Sequence, residues 1–256
     1  MASIQHPEGS TDYERAGPAG QRPLLLFHTL LADRSVYDGV FAQLARARDV
    51  VRFHFPGFGQ STGACRSIDD YARWTISFIK ALKLPGAADI FSNGFGGFVS
   101  VGVTAMAPEL VGQLTIANSG AAFPEERKPP LLKMAEAVDT QGVQAVLDIA
   151  ISRMFPPQFA QANAAIVQAR REALSRTDPR QFALACRALA ALDYRELGRS
   201  IHRPVTIVAG LDDATTPPSM SQELHQLIAG STYREIADCG HCPQIQQPAA
   251  VLALLQ

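Results

Sequence analysis

Short apolar runs and amphipathic stretches alternate along most of the chain. Three runs come first, at 23–27, 49–53 and 88–91, each followed by a turn rich in glycine or polar residues. Apolar runs this short, without strict alternation, predict strands buried on both faces of a parallel sheet. Between them the pattern predicts helices at 35–46 and 68–84, the second carrying Tyr71, Trp74, Ile76, Phe78, Ile79 and Leu82. A small-residue apolar helix at 96–107 and a strand at 112–118 extend the alternation to Ser119.

From Ala121 to about Leu197 the strand signal stops, and helical stretches take over at 131–138, 143–154, 160–175 and 179–191. The sheet resumes at 204–209 and ends at 233–237, with a helix at 218–228 between them. The expected architecture is α/β, a doubly wound, mostly parallel sheet with an inserted helical lid. Residues 23–120 and 198–256 form the core, 121–197 the lid, and 1–22 an N-terminal segment that reads as a mobile start or an edge strand and carries no chemistry.

Composition narrows the partners. In 256 residues, 23 basic against 24 acidic side chains leave a formal charge of −1, too little for a global field to hold nucleic acid or an anionic membrane. A small-molecule substrate is the expected partner, with a homodimer left open. Cys65, Cys186, Cys239 and Cys242 lack the dense spacing of a secreted disulfide framework, and Cys239-Gly240-His241-Cys242 has no second pair to complete a metal site. No metal is expected, and a reducing cytoplasm fits best. Residues 1–21 lack a basic segment followed by an apolar one, and no apolar run is long enough to span a bilayer.

Four turns after strands carry the chemistry. Phe27-His28-Thr29-Leu30-Leu31-Ala32-Asp33, followed by Tyr37, ends the first strand; Phe53-His54-Phe55-Pro56-Gly57-Phe58-Gly59-Gln60-Ser61 ends the second; Phe91-Ser92-Asn93-Gly94-Phe95-Gly96-Gly97 joins a strand to the small-residue helix. The fourth pair of segments is Ala209-Gly210-Leu211-Asp212-Asp213-Ala214-Thr215-Thr216-Pro217 and Ala237-Asp238-Cys239-Gly240-His241. In order and position these turns resemble those of the α/β-hydrolase superfamily, over nearly the whole chain from residue 23.

The resemblance implies specific roles. The third turn matches the nucleophile elbow G-x-S-x-G, but with Gly94 on the nucleophile and Ser92 where the first glycine belongs. The acid falls on Asp213, with Asp212 as fallback, and the base on His241, in the order nucleophile, acid, base. Backbone amides of Leu30 and Phe95 would hold an oxyanion, where loss of one donor costs about 2.7–4 kcal/mol. His54 stands where an acidic residue is usual, and reads either as a structural histidine or as a second proton-transfer group. The lid segments 152–159 and 177–180 are similar to those of 3-oxoadipate enol-lactone hydrolases and neighbouring esterases, which use no cofactor. Thr29, Asn93, Arg153, Met154 and Phe155 are expected to contact substrate, with Arg153 and Arg187 as candidate anchors for a carboxylate, although Arg187 reads rather as a surface residue.

A triad without its nucleophile loses about as much rate as one without all three members. Three readings stay open. A His241–Asp213 dyad acts as general base on water or on a small carbonyl, enol or lactone substrate, which contributes roughly 10²–10⁴-fold. Alternatively the chain is a non-catalytic relative that binds a small ligand or a partner. In the third it is a small-ester or enol-lactone hydrolase whose elbow serine is substituted at Gly94 or replaced by Ser92, with Cys239 and Cys242 as remoter candidates.

Overall fold

The computed structural model describes residues 2–255. Among them eight strands form one sheet: β1 (Ala2–His6), β2 (Gly9–Ala16), β3 (Leu24–Phe27), β4 (Val50–Phe53), β5 (Ala88–Asn93), β6 (Val111–Ala117), β7 (Val205–Gly210) and β8 (Thr232–Ile236). Their spatial order is β1-β2-β4-β3-β5-β6-β7-β8. Pairing is parallel from β4 to β8 and antiparallel at β1–β2 and β2–β4, so the expected doubly wound, mostly parallel sheet is present. The first strands of the core are apolar because both of their faces are covered; all four residues of β3 are fully buried. β8, at the edge, carries exposed Arg234 and Glu235, charges that discourage a further strand from pairing there. At the opposite edge the N-terminal segment forms the β1–β2 hairpin.

Helices flank this sheet. α1 (Asp38–Leu44) follows a 3-10 turn at Arg34–Tyr37, which the sequence pattern had merged into one helix. The turn starts where the Asp33 carboxylate accepts the Ser35 amide at 3.0 Å. α2 (Ile68–Ala81) opens with a capping box between Ser67 and Asp70 and buries Tyr71, Trp74 and Phe78. α3 (Phe95–Met106) is buried along most of its length. Its small residues allow that: a Cβ on Gly96 would lie 2.6 Å from the carbonyl oxygen of Phe27, so only glycine lets this helix approach β3 so closely.

Between β6 and β7 run α4 (Lys128–Gln141), α5 (Leu147–Met154), α6 (Pro157–Ala162), α7 (Ala164–Ser175), α8 (Pro179–Ala191) and α9 (Arg195–Arg199). Where one helix was expected at 160–175, Asn163 breaks it (φ −128°, ψ 48°), and its side-chain amide donates to the carbonyl of Phe159. After β7 comes α10 (Pro218–Leu227), and beyond β8 the chain ends in α11 (Pro243–Gln246) and α12 (Pro248–Leu255), two helices the apolar pattern did not reveal.

The chain runs from β3 to β4 on one side and from β5 to β6 on the other, so the winding reverses between β3 and β5. In open α/β sheets that reversal leaves a crevice at the carboxyl ends of the strands. Phe27 pairs with Ser92 in register, which brings the turns carrying Thr29 and Gly94 face to face across it.

Candidate active site

The turn after β7 delivers Asp213 and the turn after β8 delivers His241, which meet inside the protein. His241 Nδ1 lies 2.9 Å from Asp213 Oδ2, and the two side chains are 2% and 0% exposed. Asp213 Oδ1 accepts the amides of Thr215 and Thr216 at 2.8 and 3.2 Å, and the Thr216 hydroxyl lies 2.7 Å from Oδ2. A carboxylate so supplied with donors is an acceptor, so Nδ1 of the imidazole carries the proton and Nε2 the lone pair. Asp212, the fallback acid, is exposed and does not reach the histidine; its amide donates to the carbonyl of Cys239.

The backbone of His241 is anchored on two sides. Its amide donates to the carbonyl of Met154 at 3.0 Å, and its carbonyl accepts the side-chain amide of Asn93 at 2.9 Å. Asn93 also accepts from Gln244. Asn93 and the Met154 carbonyl therefore hold the histidine from behind. Met154 and Phe155 are both fully buried and contribute nothing to the cavity wall, and Phe155 rests on Phe159 with ring centroids 5.0 Å apart. Asn93, at the end of β5, and Met154 and Phe155, at the end of α5, were expected to contact substrate; in this structure none of the three lines the cavity.

Gly94 is the pivot between β5 and α3. Its φ of +54° with ψ of −116° belongs to the backbone region that glycine enters without cost. The space its missing side chain would take is not open. A Cβ there would lie 2.5 Å from His241 Nε2 and 2.6 Å from Thr29 Oγ1. The imidazole tip and the Thr29 hydroxyl have closed on that volume, and they lie 3.0 Å apart. The volume a side chain at 94 would fill is thus bordered by a threonine hydroxyl and the imidazole rather than left open.

The other nucleophile candidates point elsewhere. The Ser92 hydroxyl is fully buried and bonds Ser100 at 2.9 Å and the Thr115 carbonyl at 3.2 Å, because strand alternation directs it under α3. Cys239 and Cys242 are buried free thiols; burial pushes the Cys239 thiol up to about 12 and raises that of Cys242 further, so neither is a thiolate near neutrality. His54 lies outside the cavity. Its Nδ1 sits 3.0 Å from Asp12 Oδ2 on β2, and Arg34 reaches the other oxygen of that carboxylate at 2.7 Å.

Thr29 is fixed by its own neighbour. His28 Nδ1 lies 2.8 Å from the carbonyl of Thr29, and His28 Nε2 accepts the amide of Phe55 at 3.1 Å. The bond from Phe55 needs Nε2 unprotonated, and burial holds the His28 pKa down at about 4.

Thr29, Leu30, Gly94, Phe95 and His241 line one side of a cavity. Across it stand Leu131 and Met134 of α4, Arg153 of α5 and Leu189 of α8, with Phe98 and Phe123 completing an apolar wall. Of the helical residues proposed from sequence only Arg153 reaches this wall; Arg187 pairs with Asp139 at the surface. Arg153 is half-buried, and no carboxylate pairs with its guanidinium among the described residues. The space open to the centre of a water molecule is about 30 Å³, room for a water or two. The amides of Leu30 and Phe95 donate to no protein acceptor among the described residues; at Phe95 this is expected of the first residue of a helix.

Residues 24–254 match the model of the alpha/beta hydrolase family. The 3-oxoadipate enol-lactonase 2 of Acinetobacter baylyi is 26% identical over 242 residues, covering 93% of this chain and 89% of that protein. Among solved structures, the enol-lactonase from Burkholderia xenovorans LB400 superposes with a TM-score of 0.92 at 22% identity, over 99% of this chain and 98% of that one. A malate-bound esterase from Thermogutta terrifontis gives 0.89 at 21% identity, over 99% and 96%.

Proposed function

This chain belongs to the alpha/beta hydrolase family, and from that premise we propose that it hydrolyses small esters or enol-lactones bearing a carboxylate. His241 is the base and then the acid, Asp213 fixes its tautomer and stabilises the imidazolium, and the amides of Leu30 and Phe95 receive the developing oxyanion. Arg153 takes the substrate carboxylate, and the apolar residues of α4 and α8 cover its hydrocarbon part. The observation that carries this reading is the buried His241–Asp213 pair, with the Nε2 lone pair on a cavity wall that also carries two amides without a protein acceptor among the described residues.

The ester and enol-lactone chemistry is supported by the relatives, which are a lactonase by name and an esterase by description. The cavity as it stands has room for only a water or two, and the helical insertion acts as a lid that opens to admit the substrate.

A panel of small p-nitrophenyl esters and enol-lactones, with and without a carboxylate, tests the proposal. The expected result is turnover that falls by about 10²–10⁴-fold in His241→Gln, the range for loss of a general base. Binding without turnover would make the chain a ligand-binding protein, and turnover indifferent to His241→Gln would refute the assigned base.

A further inference from the structure

We propose that the hydroxyl missing from the elbow has been transferred to Thr29, and that Thr29 is the nucleophile. This rests on the hydrolytic reading above and adds to it the group that forms the covalent bond. Nδ1 of His241 is committed to Asp213, so Nε2 accepts, and the group donating to it is the Thr29 hydroxyl at 3.0 Å. That hydroxyl has no other hydrogen-bond partner among the described residues. Acid, base and hydroxyl are thus linked in series, as in an elbow triad, with the hydroxyl coming from the opposite lip of the crevice.

Gly94 is the other half of the exchange. A side chain at 94 would collide with both the imidazole tip and the hydroxyl, at 2.5 and 2.6 Å from its Cβ, so the residue that removes the usual nucleophile also admits this one. The hydroxyl is held rather than free to wander. Thr29 is 1% exposed, its carbonyl is tied to His28, and a β-branched side chain is stiff at χ1. The amide of Leu30, next in the chain, lines the same cavity and donates to no protein acceptor among the described residues, which leaves it for the oxyanion.

The step balances without a further reagent than water. The Thr29 Oγ–H proton passes to Nε2 while an oxygen lone pair bonds the substrate carbonyl carbon, and the carbonyl π pair becomes the oxyanion. Collapse breaks the bond to the leaving alkoxide or enolate, which takes the proton from His241, and an acyl ester remains on Thr29. Water then loses a proton to Nε2 and adds to that ester; collapse releases the carboxylic acid, and Thr29 recovers its proton.

A small alkyl p-nitrophenyl phosphonate, which traps activated hydroxyls, followed by peptide mass mapping, tests this alongside ester kinetics. The phosphonyl group is expected on the side chain at position 29 in the natural chain and in Thr29→Ser, and is expected to be absent in His241→Gln and in the isosteric Thr29→Val. Turnover should fall about 10³-fold or more in Thr29→Val, as for loss of a triad nucleophile, and stay within tenfold in Thr29→Ser. Thermal melting of each variant reports whether it is folded. Thr29→Val with full turnover, while His241→Gln is dead, overturns the nucleophile and leaves the hydrolytic reading standing with water in its place. Label on Thr29 without turnover of any substrate does the reverse, and the absence of both overturns both.

Discussion

Replacing Gly94 by alanine adds one methyl group where two polar side chains already meet. The backbone there has φ +54° and ψ −116°, sparsely populated for any residue with a Cβ, and such strain costs about 1–3 kcal/mol. The new Cβ would sit 2.5 Å from His241 Nε2 and 2.6 Å from Thr29 Oγ1, so their hydrogen bond must break. That removes roughly another 0.5–1.5 kcal/mol. A total of about 1.5–4.5 kcal/mol corresponds to a melting temperature lowered by roughly 3–18 °C in a chain of this size. Two controls separate the contributions. At Gly86 nothing lies within 4 Å of a built Cβ and φ is ordinary, so Gly86→Ala should melt like the natural chain; at Gly230, also open but with φ +75°, alanine meets the backbone strain alone. Scanning calorimetry of the three variants with ester kinetics on the same samples is the assay. Gly94→Ala should melt lowest and lose hydrolysis, and Gly94→Ser should lose it too. If Gly94→Ala melts with Gly86→Ala, the crowding at the elbow is refuted; if Gly94→Ser gains strong activity, the site is that of a serine enzyme with its serine substituted.

Other outcomes follow from the same structure. His28 is neutral in the fold, with its pKa pushed down to about 4 by burial, so its contribution is complete above about pH 6.5 and is lost as pH falls toward 4. The change is worth about 3 kcal/mol, and denaturant titrations should show a shallower decline over that window in His28→Asn than in the natural chain. Arg153→Gln should raise KM for carboxylate-bearing esters by about tenfold or more, as for loss of a charged hydrogen bond, with kcat and neutral esters little changed; equal losses on both would place the guanidinium elsewhere. All four cysteines are buried, and burial lifts the thiols of Cys65, Cys186 and Cys239 to about 12. Iodoacetamide at pH 8 should therefore alkylate the unfolded chain and spare the native one.

The turns at strand ends were legible because each is set by local chemistry. Asp213, Gly94 and His241 sit where short apolar runs give way to glycine and polar residues, and the structure brings them together as the family order requires. The hydroxyl was not legible as a partner of the base. Thr29 and His241 are 212 positions apart, and their approach depends on how far the imidazole moves into the volume a side chain at 94 would occupy. The helical insertion was legible as helices but not as faces. Leu131, Met134 and Leu189 line the cavity while Met154 and Phe155 are turned inward, a choice made by tertiary packing that periodicity does not report. The two C-terminal helices carried an unread signal, since Pro243 and Pro248 stand at their first positions.

Rapid mixing with p-nitrophenyl acetate, acid quenching within one turnover and mapping of the acetyl group would test the proposed series Asp213–His241–Thr29 most directly. An acetyl ester on Thr29 that forms in the natural chain, fails to form in His241→Gln and decays at the steady-state rate is the predicted result. Acetate released with no acylated residue at any time, or an acyl group on a different side chain, would contradict it.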